Sequence, residues 1–349
     1  MSRTFRLLLM AVLGVLALGA AACGGDDNND NGGGGGGTST TAAKSIKAGL
    51  VSDIGGLNDR SFNFLANKGR LEAQTKLGID TRVLLSKSNG DYVPNMTTLA
   101  QQKYNIIVAV GFLMADATNT VASKVPSSDF AIVDFSAAGL KDKPKNVEGL
   151  LFAEQEAGYL AGYLAGLWAK DNNAKVISSV GGQKIPPVDH YIAGYQAGAK
   201  AAYPGIQTLN GYSQDFVDQA KCKEIALDQI AQGSKVVFQV AGQCGLGALD
   251  AAKEKGVQGI GVDADQAYLG DHIMTSALKK VDEAAFAASK QVQDGTFKPC
   301  TDTVFDVKSG GVGYGKTNAE GAKYKKQVDA VLEQIKSGEI TDIPTKPSK

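Results

Sequence analysis

From residue 45 onward, short apolar runs alternate with longer amphipathic stretches, and this alternation sets the expected architecture. Ile46, Ala48, Leu50 and Val51 make a brief apolar run, Ser52-Asp53-Ile54-Gly55-Gly56 interrupts it, and Asn58-Asp59-Arg60-Ser61-Phe62-Asn63 has the polar composition of a helix start. The spacing predicts a helix over 64–77, with Leu65, Leu71 and Ala73 facing inward and Gly78 ending it. Strands follow over 81–85, 106–110 and 130–135, separated by helices over 92–103 and 114–124. Strand alternating with helix specifies a parallel sheet flanked by helices.

An extended segment over 147–152 runs directly into a helix over 154–170, which reads as a crossing into a second lobe. That lobe repeats the plan, with strands over 175–180, 206–212, 235–240 and 258–262 and helices over 188–203, 216–232 and 246–255. A helix over 277–294 is expected to return to lobe one, and a strand over 303–307 to lobe two. The partition is then 45–150 plus 275–300 against 151–274 plus 301–349, with hinges near 147–153, 264–275 and 297–303. Within 154–170, Gly158, Gly162 and Gly166 recur every four residues, a spacing that makes a dimer face in membranes. Glu154, Glu156, Lys170 and Asp171 confine the uncharged stretch, so close packing of a water-soluble helix on the sheet is expected instead.

Length and composition fit this picture: 349 residues, 43% hydrophobic and 21% charged, suffice for two lobes with separate cores. Residues 1–22 read as a secretory signal peptide, with Arg3 and Arg6, an apolar core and Gly19-Ala20-Ala21-Ala22 before Cys23. A cysteine in that position resembles the lipidation site of bacterial lipoproteins, which implies a cell-membrane location on the extracytoplasmic face, anchored through Cys23. Residues 23–44, rich in Gly, Asp, Asn, Ser and Thr, cannot bury a core and read as a flexible linker. Basic and acidic side chains number 36 each, and removing Arg3 and Arg6 with the signal leaves 34 against 36. Nothing in that balance points to nucleic acid.

Catalytic patterns are sparse. His190 and His272 are the two histidines, no His/Cys cluster has metal spacing, and no nucleophile elbow appears, so neither an enzyme nor a bound metal or cofactor is expected. An acid–base pair drawn from Asp53, Asp134 and Asp263 is the enzymatic alternative. Cys222 opens one expected helix and Cys244 follows the next strand. Both fall on one edge of lobe two, which predicts a Cys222–Cys244 disulfide and a free Cys300.

The segment Val51 to Asn63 resembles the opening motif of the basic membrane protein family, nucleoside-binding lipoproteins that serve ABC importers. The resemblance continues, in the family's order, through Phe130-Ala131-Ile132-Val133-Asp134, Val236-Val237-Phe238-Gln239-Val240-Ala241-Gly242, Ile260-Gly261-Val262-Asp263-Ala264-Asp265-Gln266 and Thr275-Ser276-Ala277-Leu278-Lys279. It implies a type I periplasmic binding protein-like fold, an α/β pair of doubly wound lobes joined by three hinge crossovers, acting as a monomer that delivers its ligand to an ABC permease. It also implies a cleft in which Phe62 and Phe238 stack on the two faces of a purine, while Asp53, Asn63, Asp134 and Asp263 accept polar groups. Lys279, on the helix beside the cleft, would donate to sugar oxygens, and Gly242 would leave room for close approach. On the residues alone, Phe62 and Phe238 also suit a core, and Asp134 and Asp263 also suit helix N-caps. A sugar or other small metabolite, or a role as a signalling receptor subunit, remains open.

Overall fold

The computed structural model describes residues 45–348; the segments read as signal peptide and linker, with Cys23, lie outside them. Its elements in chain order are β1 (Lys47–Val51), α1 (Phe62–Leu77), β2 (Asp80–Leu84), α2 (Tyr92–Gln101), β3 (Ile106–Ala109), α3 (Ala115–Ala122), β4 (Asp129–Val133) and β5 (Val147–Phe152). Then come α4 (Glu154–Asp171), β6 (Val176–Gly181), α5 (Pro186–Ala202), β7 (Gln207–Tyr212), α6 (Gln219–Ala231), β8 (Ser234–Val240), α7 (Gly242–Glu254) and β9 (Gln258–Asp263). The chain finishes with β10 (Ile273–Lys279), α8 (Val281–Asp294), β11 (Asp302–Phe305), β12 (Val312–Tyr314), α9 (Ala319–Ala322) and α10 (Lys325–Ser337).

Two six-stranded sheets result, in the orders β11-β5-β4-β3-β1-β2 and β12-β10-β9-β8-β6-β7. Apart from the antiparallel β10–β12 pair, the ladders are parallel. Central strands such as β3 and β4 are buried on both faces and accordingly read as continuous apolar runs. Each lobe is thus a doubly wound α/β unit, as the alternation predicts.

The partition near the C-terminus departs from expectation. Residues 273–279 form β10, paired with β9 in the second sheet, and only Val281–Asp294 is helical, packed on α1 in lobe one. The segment expected in lobe two is β11, which joins β5 at the edge of the first sheet, matching Asp302 with Gly149 and Phe305 with Phe152. The chain therefore changes lobe after Phe152, after Lys279 and between Phe305 and Val312, so the second and third crossings lie later than 264–275 and 297–303. Lys279 ends a strand rather than lying on a helix, and Leu71 is exposed rather than inward.

The glycine row of α4 meets a helix, not the sheet. A Cβ at Gly162 would lie 2.0 Å from the Tyr195 carbonyl oxygen, and one at Gly198 2.0 Å from that of Tyr159, so α4 and α5 pack backbone to backbone. No helix among the described residues is long and apolar enough to cross a membrane. Cys222 and Cys244 are joined, linking α6 to α7, and Cys300 is free and exposed, as expected.

Candidate functional site

The carboxyl ends of the strands from both sheets face one another across a cleft of about 630 Å³, counted out to where it opens on solvent. That edge is where open α/β sheets bind ligands, because loops there project side chains and backbone N–H groups beyond the ladder. Lobe one contributes the β1–α1 loop with Asp53 and Asp59, Phe62 and Asn63 in the first turn of α1, Gly111 and Phe112 after β3, and Asp134 after β4. From lobe two come Tyr191 of α5, Phe216 ahead of α6, Val240 ending β8, Gly242 opening α7, Asp263 ending β9 and Lys279 ending β10.

The β1–α1 loop is held by its own polar groups. Asp59 accepts from the backbone N–H of Asn63 at 2.7 Å and of Phe64 at 2.9 Å, satisfying the donors that a helix start leaves open. Asn63 in turn accepts from the Asp53 N–H at 2.8 Å and donates to the Ile54 carbonyl at 3.2 Å. The Asp53 carboxylate receives the Tyr92 hydroxyl and, at 2.7 Å, the Ile54 N–H. Burial nevertheless pushes Asp53 and Asp59 each up to about 6.

Asp134 and Asp263 both sit in left-handed backbone, at φ 68° and 59°, a conformation that costs a non-glycine residue on the order of 1–3 kcal/mol. The helix-cap alternative does not hold for either. Asp263 accepts from the Ser61 hydroxyl at 2.7 Å and the Tyr191 hydroxyl at 3.2 Å. Asp134 faces Lys279, whose Nζ lies 2.6 Å from one carboxylate oxygen and 2.7 Å from the other. Lys279 is 2% exposed and also pairs with Glu154 at 2.9 Å, while the second Glu154 oxygen meets His190 Nδ1 at 3.2 Å. Burial raises Asp134, against the pull of the adjacent ammonium, and likewise raises Asp263. Glu154, held between Lys279 and His190 against its own burial, is lowered, and Lys279 is raised by its carboxylate neighbours.

Seven of the eight sequence-derived site residues, Asp53, Phe62, Asn63, Asp134, Gly242, Asp263 and Lys279, line this cleft together. Phe238 does not. It is 0% exposed in mid-β8, packed against Tyr195 at 5.0 Å and edge-on to Tyr191 at 6.1 Å between ring centroids. The physical reason is depth: Val240, two residues on and about 6–7 Å further along the same face, reaches the rim. In place of Phe238 the cleft has Phe216, Phe112 and Tyr191. Phe216 precedes the helix that the sequence pattern started at that residue, and its carbonyl accepts from the Cys244 N–H at 3.0 Å. Gly242 has φ 54°, which a side chain would strain. Among the described residues no cluster of His, Cys, Asp or Glu is arranged to hold a metal ion.

Two lobes with parallel sheets, three crossings and an interlobe cleft lined by aromatic rings and carboxylates define a solute-binding protein of the type I periplasmic fold. Residues 46–344 match the family model Bmp, ABC transporter substrate-binding protein PnrA-like, and the chain belongs to that family. It is 35% identical over 323 residues to the ABC transporter nucleoside-binding protein BmpA of Lactococcus lactis, covering 86% of this chain and 90% of that one. It is 37% identical to an uncharacterized lipoprotein of Pyrococcus horikoshii, over 78% of this chain and 69% of the other. Among solved structures, an ABC transporter solute-binding protein from Aeropyrum pernix K1 superposes with a TM-score of 0.77 at 26% identity, covering 86% of this chain and 94% of that one. The chain is thus an ABC transporter substrate-binding protein.

Proposed function

We propose that this protein binds purine nucleosides in the interlobe cleft and presents them to an ABC permease from the extracytoplasmic face of the cell membrane, tethered by lipid on Cys23. The observation that carries the reading is the charge and shape of the cleft: four aspartates, Asp53, Asp59, Asp134 and Asp263, against one ammonium, Lys279, which already has two carboxylate partners. Such a lining suits a ligand rich in hydroxyl and N–H donors. Flat aromatic faces from Phe62 and Phe216, on opposite lobes, suit a planar base. The nucleoside-binding relative and the lipoprotein names among the relatives support the same ligand class and anchoring.

A phosphate would enter against like charge. Two unit charges 5 Å apart repel by about 3 kcal/mol at an effective dielectric of 20, a factor of roughly 100 in affinity. Titration calorimetry with adenosine, guanosine, inosine, adenosine monophosphate, arabinose and ribose is the test. Purine nucleosides are expected to bind and the monophosphate to bind at least about 100-fold more weakly. Saturation by a free sugar with no heat from any nucleoside would replace this reading with sugar binding.

A further inference from the structure

Lys279 belongs to lobe two, yet most of what surrounds its ammonium belongs to lobe one. Its Nζ lies 5.2 Å from the centroid of the Phe62 ring, 4.8 Å from that of Phe152 and 2.6 Å from Asp134, all three from lobe one. Glu154, on α4 of lobe two, supplies the fourth side. Glu154 opens the helix immediately after the first crossing, and Lys279 ends the strand immediately before the second, so their pair joins two of the three crossovers. A rotation of the lobes about these crossings leaves Lys279–Glu154 in place, with Phe152 beside the crossing itself, and separates Lys279 from Asp134 and Phe62.

We infer that the Lys279–Glu154 pair is a fixed pivot between two crossovers, and that Asp134 engages it as a latch that favours the closed arrangement of the lobes without any contribution from ligand atoms. The bonds concerned run between protein atoms. They are reinforced at the cleft floor by Ser61, whose hydroxyl donates to Asp263 of the other lobe, and by Gln266, which donates to the Arg60 carbonyl at 3.3 Å. Opening hydrates the ammonium, exchanging a socket of low dielectric for water, while Glu154 keeps it paired and aimed at the position to which Asp134 returns. Glu154 is therefore the fixed half of the pivot. Its own orientation is set by His190 on α5, a helix locked to α4 through the glycine contacts.

The inference rests on lobes that move about the crossings, and its test does not depend on the identity of the ligand. Small-angle scattering of the protein without ligand compares wild type, Asp134→Asn and Glu154→Gln, each checked for a cooperative thermal transition. Asp134→Asn is expected to shift the ratio of open to closed molecules about tenfold toward open, visible as a larger radius of gyration. Glu154→Gln, which alters a contact inside lobe two, is expected to lower the melting temperature and leave the radius unchanged. Equal radii for wild type and Asp134→Asn would overturn the latch, and equal expansion in both variants would overturn the division into pivot and latch. Titration of the same samples with adenosine by calorimetry is a separate arm: if no sample binds it, the nucleoside reading fails while the comparison without ligand still decides the latch.

Discussion

At the scale of single residues the aromatic side chains are the instructive case. Phe62 and Phe238 stand in motifs of equal quality, but only Phe62 reaches the cleft, because position along a strand decides whether a ring meets solvent or the next helix. No periodicity distinguishes a ring at the carboxyl end of β8 from one two residues below it, and Phe216 was hidden by an apparent helix start. Replacement by alanine is expected to separate the three. Phe62→Ala and Phe216→Ala each weaken nucleoside binding by roughly 1–3 kcal/mol, as the loss of one stacking face does. Phe238→Ala leaves affinity intact and lowers unfolding free energy by about 3–5 kcal/mol, the usual cost of removing a core ring. Titration and urea unfolding of the same samples check this, and a Phe238→Ala protein of normal stability that no longer binds would restore it to the site. The carboxylates were easier to read, since Asp53, Asp134 and Asp263 each follow an apolar run and so fall at the sheet edge.

Elements were legible wherever an apolar run had punctuation on both sides. The run into β10 and α8 lacked it: between Lys279 and Val281 there is neither glycine nor proline, and the alanine-rich continuation extended the apparent helix backward over the strand. β11 was visible as a strand but not assignable, because its partner β5 lies about 150 residues earlier and no local pattern names a distant partner. The four-residue glycine spacing of α4 announced close packing without saying against what. It proves to be α5, and Gly162→Ala would place a methyl group 2.0 Å from the Tyr195 carbonyl oxygen. Since backbone cannot step aside as a side chain can, the pair must part, and a loss of about 1–3 kcal/mol or more is expected in denaturant unfolding. An unchanged midpoint would mean that the two helices separate freely.

For the molecule as a whole, Asp53 and Asp59, raised by burial without a cationic partner, make stability depend on pH in a direction opposite to that of ion-paired carboxylates. Asp53 is held at about 6, against 3.8, by burial. Below the lower value both folded and unfolded chains carry the proton and its contribution is complete. As pH rises through 6 the unfolded chain has already released its proton, and the contribution is lost. Relative to Asp53→Asn, the wild type is therefore expected to lose roughly 2–3 kcal/mol of stability between pH 4 and pH 7. Urea midpoints across that range measure it, and parallel curves for the two proteins would refute the buried-acid account. Asp215, a partly exposed residue lowered to about 2 mainly by Lys221, works in the other direction but is screened by solvent.

The late position of β11 and β12 bears on how the chain acquires its structure. Neither sheet is a contiguous stretch: β11, from residues 302–305, closes the edge of a sheet whose other five strands are complete by residue 152, and β12 extends the other sheet only after that. During synthesis the first lobe waits with β5 as a bare edge until almost the whole polypeptide has emerged. Docking of α8 onto α1 is likewise deferred. Neither sheet is therefore complete until the C-terminal segment is available, so both lobes depend for their outer edges on the same late stretch of chain.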